Sequence, residues 1–180
     1  MRIEVRLAGF GGQGIIRAGL MLAMAACIHG DKNAVQTQSY GPESRGGSCK
    51  SEVVISDKEI DYPKVVEPDV LIVMSQEAFT TYSDSLKPNG TLLLDPDMVP
   101  RHEFKGSARV FMVPSTKIAE ELGKTIVANV VMLGAVVAVT GITNAEAFKK
   151  SLVSNIPKGT EKLNLTAFEK GYEYGKKLLE

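Results

Sequence analysis

The fold is decided by residues 3–29, which read IEVRLAGFGGQGIIRAGLMLAMAACIH. Apolar and charged residues alternate from Ile3 to Ala8, which predicts a β-strand with one buried face. A glycine-rich loop follows, Gly9 to Gly14, and then a stretch rich in Ala, Leu and Met predicts a helix from about Gln13 to His29. This order of strand, glycine loop and helix indicates the beginning of an α/β unit.

The rest of the chain continues the alternation of strands and helices. Two strands, Val70–Met74 and Thr91–Leu94, are continuously apolar, which is typical of a sheet covered on both faces. The other predicted elements are the strands Asn33–Gln38, Ser51–Ile55 and Arg109–Val113, a helix capped by Ser115 or Thr116 that ends near Gly123, and the helices Ile126–Thr140, Asn144–Ser151 behind a Thr143 or Asn144 cap, and Lys158–Leu179. We expect a single α/β domain over residues 1–180, Rossmann-like and three-layered, with a mostly parallel sheet and a helical C-terminal region.

The overall composition excludes several classes of protein. The 180 residues carry 21 basic and 21 acidic side chains, so the formal net charge is zero and the chain lacks the positive field that sequence-independent nucleic-acid binding requires. The longest apolar stretch, Ile126 to Ile142, contains Asn129 and Thr140 and is shorter than the roughly 20 residues that cross a bilayer. We expect no nucleic-acid partner and no membrane insertion. The first residues do not resemble a secretory signal, so we expect a cytoplasmic protein.

The chain has two cysteines, Cys27 and Cys49. They cannot by themselves supply the four thiolates of an iron–sulfur cluster or of a four-cysteine zinc site, so any such cofactor would lie on another chain. With no secretory signal, we take both as reduced thiols.

The glycine loop is the first candidate binding element. Gly9 to Gly14 matches the pattern G-x-G-x-x-G between a strand and a helix, where backbone N–H groups receive a phosphate or carboxylate. A dinucleotide site also requires an acidic residue at the end of the second strand, to hold the ribose hydroxyls. That strand ends in Gln38 and Ser39, while Asp31 precedes it and Glu43 lies in the next loop. A dinucleotide site and a purely structural role in packing strand against helix both stay open here.

The second candidate is the loop Ser39-Tyr40-Gly41-Pro42-Glu43-Ser44-Arg45-Gly46-Gly47. It is too long for a plain hairpin turn, and its composition is typical of a binding loop. The guanidinium of Arg45 offers a planar set of donors that suits a phosphate or a carboxylate. The alternative is a local ion pair between Glu43 and Arg45, which would add little stability.

Together, these two loops resemble those of the gamma subunit of 2-oxoacid:ferredoxin oxidoreductases. The shorter stretches Tyr62-Pro63, Pro68-Asp69 and Met74-Ser75-Gln76-Glu77-Ala78 fit the same family, and the resemblance covers the chain to about residue 140. Residues 40–47, Tyr-Gly-Pro-Glu-Ser-Arg-Gly-Gly, are more similar to the 2-oxoglutarate branch than to the pyruvate branch.

The resemblance implies a function within a complex. Proteins of this family decarboxylate a 2-oxoacid on thiamine diphosphate, pass two electrons through iron–sulfur clusters to ferredoxin, and release an acyl-CoA. Thiamine diphosphate and magnesium would belong to partner alpha and beta subunits, because this chain has no Gly-Asp-Gly segment. The clusters would also lie on partner subunits, which in some complexes include a ferredoxin-like delta subunit, because two cysteines are too few to hold one. The chain would bind no cofactor or metal alone, and would be inactive alone.

The resemblance also implies that the two loops form the coenzyme A side of a shared active site. The residues expected there are Gly11, Gly12, Gln13, Gly14, Ser39, Tyr40, Ser44, Arg45 and Gly46. Their backbone N–H groups, hydroxyls and guanidinium would receive a phosphate or a pantetheine amide of coenzyme A, or a carboxylate of a partner chain. We identify no catalytic residue, because no set of nucleophile, base and orienting group stands out in the sequence. Asp95-Pro96-Asp97 is more typical of a turn than of a carboxylate pair. A freestanding NAD-dependent oxidoreductase and a purely structural subunit are the alternatives.

Overall fold

One mixed sheet forms the centre of the structure, a computed structural model that describes residues 1–40 and 47–180. Its strands are, in chain order, β1 (Arg2–Phe10), β2 (Asn33–Tyr40), β3 (Ser48–Ser56), β4 (Val70–Val73), β5 (Thr91–Leu94) and β6 (Arg109–Met112). Their order across the sheet is β2-β3-β1-β4-β5-β6. The β1–β4, β4–β5 and β5–β6 pairs are parallel, while β3 runs antiparallel to both β1 and β2. The expected three-layer α/β fold is confirmed, with an antiparallel edge beside the parallel strands.

Helices cover both faces of the sheet. In chain order they are α1 (Ile15–Ile28), α2 (Gln76–Tyr82), α3 (Ser115–Glu121), α4 (Ala128–Thr140), α5 (Ala145–Asn155) and α6 (Glu161–Lys177). On one face, strand residues such as Leu7 and Ile72 join the apolar core formed with α1, α4, α5 and α6. On the other face, Ala8 and Leu71 pack in a smaller core with Phe79 of α2. The alternation of side chains along each strand supplies both cores.

The apolar stretch around α4 is a core helix. Eleven of the 13 residues from Ala128 to Thr140 are buried, so the absence of a polar face reflects neighbours on every side. Gly171 of α6 and Gly134 of α4 lie where the backbone of one helix is in close contact with the other, so that neither position has room for a Cβ atom. Among the described residues, none of the helices is long and apolar enough to cross a membrane.

Two helices are capped in different ways. Asn144 caps α5 as predicted, its Oδ1 accepting a hydrogen bond from the N–H of Ala147 (2.7 Å). The prediction that Ser115 or Thr116 caps α3 is wrong. The cap comes from Asp95, which follows β5 and is fully buried; its Oδ2 accepts hydrogen bonds from the Ser115 hydroxyl and the Thr116 N–H, both at 2.7 Å. Asp95 is therefore a structural carboxylate.

Candidate functional site

The glycine loop joins β1 to α1 through two residues in left-handed backbone conformations. Gly12 has a φ of +96° and Gly14 a φ of +75°, a region that residues with a side chain rarely adopt. A Cβ atom on Gly14 would lie 2.5 Å from the amide nitrogen of Asn129 in α4. Glycine is therefore needed at position 14 both for the turn and for the approach of α4.

The side chain of Gln13 fixes the shape of this loop. Its Oε1 accepts a hydrogen bond from the N–H of Phe10 (2.9 Å), and its Nε2 donates one to the carbonyl oxygen of Met74 (2.6 Å). Phe10 ends β1 and Met74 follows β4, so one amide ties together the carboxyl ends of two neighbouring parallel strands. Gln13 thus supports the framework of the site.

Two of the four loop N–H groups are used within the chain. The N–H of Gly11 donates to the carbonyl oxygen of Gly47 (2.8 Å), and that of Gln13 donates to the carbonyl oxygen of Phe10 (3.2 Å). The N–H groups of Gly12 and Gly14 have no acceptor within the described residues. The expectation that all four N–H groups can receive a ligand is therefore corrected, because Gly12 and Gly14 are the donors left at the start of α1.

A groove of about 460 Å³ lies between the glycine loop, α1 and the end of β2. Its lining includes Gly12, Arg17 and Tyr40. The hydrogen bond from Gly11 to Gly47 brings the residue just before β3 to the same place. The structure thus brings the glycine loop together with both flanks of the second predicted loop.

The remaining predicted residues of the second loop differ in their placement. Tyr40 lines the groove and is 65% exposed. Ser39 lies on the opposite face of the sheet, because neighbouring residues of a strand alternate, and it is paired with Lys50 of β3. Ser44, Arg45 and Gly46 lie outside the described residues, so their role stays a prediction.

Gly12 also borders two further cavities at the carboxyl edge of the parallel strands. One, of about 400 Å³, lies between the glycine loop, Met98 and Thr116. The other, of about 260 Å³, lies between α1, α4 and the start of α6 and includes the side chain of Asn129. Among the described residues that line these two cavities and the groove, Arg17 is the one charged side chain. The site therefore favours an anionic ligand over a cationic one.

Arg17 and Asn129 are site residues whose roles the sequence did not show. The exposed side chain of Arg17 lines both the groove and the 260 Å³ cavity, together with Gly12 and Gly14. Its place in the first turn of α1, three residues after the last motif glycine, is the signal that could have found it. Asn129 donates from Nδ2 to the carbonyl oxygen of Gly14 (3.3 Å) and so links α4 to the loop. Only the folded chain brings these residues together.

A larger groove, of about 840 Å³, lies beside α2 and is lined by Gln76, Arg101 and His102, among others. Gln76 holds its rim: Nε2 donates to the carbonyl oxygen of Arg101 (2.8 Å), and Oε1 accepts from the Arg101 N–H (2.9 Å). The described lining of this groove includes none of the predicted site residues. The chemistry-bearing loops thus meet at the smaller cavities around Gly12.

The two cysteines provide a test of the groove at the glycine loop. Cys27 is exposed and Cys49, which lines the groove, is buried; both are free. Burial raises the pKa of the Cys49 thiol, so near pH 8 less of it is thiolate, the reactive form. We expect iodoacetamide to modify Cys27 quickly and Cys49 slowly. The rate of Cys49 modification should increase as the pH rises toward the elevated pKa of its thiol. Mass spectrometry of Cys27→Ser and Cys49→Ser variants measures both rates, and equal rates would contradict this placement.

Comparison with known sequences covers nearly the whole chain. The family model of the pyruvate ferredoxin/flavodoxin oxidoreductases matches residues 4–174. The chain is 52% identical over 180 residues to the 2-oxoglutarate synthase subunit KorC of Methanocaldococcus jannaschii, with 99% of this chain and 96% of the relative covered. The match therefore includes most of the last 40 residues, in which the resemblance of the sequence motifs is weak.

Two solved structures share the fold. The gamma subunit of a keto/oxoacid ferredoxin oxidoreductase from Geobacter sulfurreducens has a TM-score of 0.89 and 43% identity, with 97% of each chain covered. The 2-oxoglutarate:ferredoxin oxidoreductase from Magnetococcus marinus, solved with 2-oxoglutarate, coenzyme A and succinyl-CoA bound, has a TM-score of 0.84 and 25% identity. That match covers 98% of this chain and 31% of the longer one. By sequence and by fold, this chain belongs to the pyruvate ferredoxin/flavodoxin oxidoreductase family.

Proposed function

We propose that the chain is the gamma subunit of a 2-oxoacid:ferredoxin oxidoreductase complex that acts on 2-oxoglutarate in the cytoplasm. The names and high similarity of the 2-oxoglutarate synthase subunit and of the gamma subunit support this proposal. The complex would convert 2-oxoglutarate, coenzyme A and oxidised ferredoxin to succinyl-CoA, carbon dioxide, reduced ferredoxin and a proton. The chain would contribute to the assembly of the complex and to its coenzyme A side.

One observation carries the coenzyme A role. The glycine loop, Arg17 and both flanks of the second loop meet around cavities whose described lining contains no carboxylate. Coenzyme A carries a diphosphate and a 3′-phosphate, and the N–H groups of Gly12 and Gly14 and the Arg17 guanidinium are donors that phosphates bind well. Arg45 would add a second cation. These groups would position coenzyme A and would not transfer a proton.

A freestanding NAD-dependent oxidoreductase has less support from the same residues. A nicotinamide dinucleotide requires a carboxylate at the end of the second strand, and β2 ends in Gln38, Ser39 and Tyr40. The missing charge-assisted hydrogen bond is worth about 1.5–3 kcal/mol, so NADH would bind weakly. Family membership also favours the subunit.

Partner subunits would carry out the chemistry at the reacting carbon of the 2-oxoacid. The sequence has no Gly-Asp-Gly segment to hold thiamine diphosphate and magnesium, and its two cysteines are too few for an iron–sulfur cluster. We propose that alpha and beta subunits carry the thiamine diphosphate chemistry. Electrons would leave through clusters on partner subunits, including a ferredoxin-like delta subunit, to ferredoxin.

An assay of the chain with and without its partners tests the proposed function. The purified chain, supplied with 2-oxoglutarate, coenzyme A, thiamine diphosphate, magnesium and a viologen acceptor, should release no carbon dioxide. The coexpressed complex should form succinyl-CoA and reduce the viologen, and omission of this chain should abolish succinyl-CoA formation. Turnover by the chain alone, or full succinyl-CoA formation without it, would refute the proposal.

A further inference from the structure

We propose that the 260 Å³ cavity between α1, α4 and the start of α6 binds the adenine base of coenzyme A. The inference rests on the proposed function, which brings coenzyme A to the glycine loop, and it names the part of the ligand that this chain recognises. Gly12, Gly14 and Arg17 are among the residues that line the cavity. The cavity is thus continuous with the groups proposed to bind phosphate.

The walls of the cavity suit a flat, weakly polar ring. Met21, Val130, Ile156 and Leu163 contribute to the lining, together with Ile126. Ile126 is 74% exposed beside the glycine loop. A base that enters the cavity removes this apolar surface and its own faces from water, which is favourable.

Two buried amides supply polar recognition. Asn129 is 9% exposed and Asn164 is 7% exposed, and both line the cavity. Their Nδ2 atoms donate to the carbonyl oxygens of Gly14 (3.3 Å) and Thr160 (3.0 Å), respectively. Neither Oδ1 atom accepts a hydrogen bond from any described residue. Both oxygens are open to solvent, since among the described residues Thr143 Oγ1 is the one enclosed side-chain polar atom without a partner. A ligand that donates N–H groups would therefore replace water on these oxygens.

Adenine supplies donors for these two acceptors. Its exocyclic amine carries two N–H donors, and the side-chain amide of asparagine is a common partner of that edge of the base. The Nδ2 atoms of Asn129 and Asn164 are engaged already, so the cavity offers two oxygens. The thiol at the other end of coenzyme A must reach the reacting carbon on a partner subunit. With the adenine held here and the phosphates at the glycine loop, the pantetheine arm is free to extend out of this chain.

A coenzyme A analogue with hypoxanthine in place of adenine tests the inference in the assembled complex. The analogue carries an oxygen where adenine has the amine, so a donor becomes an acceptor facing the Asn oxygens. The wild-type complex should show an apparent KM roughly tenfold higher for the analogue than for coenzyme A. Asn164→Leu should raise the apparent KM for coenzyme A by a similar factor and leave that for the analogue nearly unchanged.

Asn155→Leu is the matched control. The Nδ2 of Asn155 donates to the carbonyl oxygen of Ser151, four residues earlier, just as Asn164 donates to Thr160. Asn155 ends α5 and is not in the described lining of the cavity. The Asn155→Leu complex should therefore show the same KM values for coenzyme A and for the analogue as the wild type. Leu163→Phe, which narrows the cavity and keeps both asparagines, should raise the KM for coenzyme A and weaken inhibition by 3′,5′-ADP.

Equal KM values for the two cofactors in the wild type would overturn the adenine assignment. An assembled Asn164→Leu complex that still has a roughly tenfold higher KM for the analogue than for coenzyme A would also overturn it. If the Asn164→Leu complex fails to assemble, an unchanged KM for coenzyme A in Leu163→Phe would overturn the assignment instead. These results leave the proposed function standing if Arg45→Ala still raises the KM for coenzyme A. If Arg45→Ala and all cavity variants leave coenzyme A dependence unchanged, the coenzyme A role itself fails.

Discussion

Replacing Gly171 by alanine should destabilise the chain by about 3 kcal/mol and lower its melting temperature by roughly 10 °C. Gly171 lies on α6 against α4, and a Cβ atom there would overlap the carbonyl oxygen of Val131. A backbone oxygen cannot rotate away, so the helices would have to separate and lose packing around the core helix. The better helix propensity of alanine, worth about 1 kcal/mol, offsets only part of this loss.

Thermal unfolding followed by circular dichroism measures the effect. Glu173→Ala, an exposed change on the same helix, is the control and should alter stability by less than about 0.5 kcal/mol. Gly134→Ala, on the facing helix, should reproduce the loss because its Cβ would overlap the carbonyl oxygen of Phe168. A Gly171→Ala chain as stable as the wild type would contradict the close contact of α4 with α6.

Elements with a continuous apolar sequence can be predicted well. The pattern predicts β5 with its observed bounds, Thr91–Leu94, and it predicts β4 to within one residue. It does not predict α2, a seven-residue helix with two threonines and a tyrosine, which have modest helix propensity. The missed signal is Ser75, whose Oγ accepts a hydrogen bond from the N–H of Ala78 (3.2 Å) and caps α2.

A local sequence pattern does not predict which charged side chains are buried. Arg6 alternates with apolar neighbours as an exposed residue would, yet it is 5% exposed and its Nε donates to Glu52 Oε1 (2.7 Å). Asp95 fits a turn, yet it also caps a helix. Glu52 lies 46 residues after Arg6 in the sequence, and Ser115 lies 20 residues after Asp95. Sheet pairing and helix packing bring them together, and neither distance leaves a periodic signal in the sequence.

In the candidate site, too, the local sequence predicts some features, while others depend on residues that are distant in the sequence. The glycine loop can be recognised from its own sequence motif, and the turn at Gly14 forms as the motif predicts. Asn129 lies 115 residues from Gly14, and only the packing of α4 places it at the loop. The availability of individual N–H groups was also not predictable, since Gly11 is engaged by Gly47 across two separate segments.

Replacing Arg45 by alanine should raise the apparent KM for coenzyme A in the assembled complex by roughly ten- to a hundredfold. A charge-assisted hydrogen bond to a phosphate is worth about 1.5–3 kcal/mol. The kcat should stay near its original value, because such a contact is lost equally from the ground and transition states. Arg45→Lys should recover part of the affinity, because the ammonium keeps the charge and loses the two-pronged geometry.

A matched control separates this role from general effects of charge. Arg101 is an exposed arginine that lines the groove beside α2, away from the glycine loop, so Arg101→Ala should leave the KM for coenzyme A unchanged. If Arg45 only pairs with Glu43 or supports a subunit interface, assembly or both half-reactions should be impaired together. Native mass spectrometry reports assembly for each variant.

The coenzyme A dependence of the intact Arg45→Ala complex is the most direct measure of whether this chain forms the coenzyme A side of the active site. We predict a raised KM for coenzyme A, a kcat close to that of the wild type, and unchanged release of carbon dioxide from 2-oxoglutarate before coenzyme A is added. An intact Arg45→Ala complex with the KM of the wild type would contradict that role.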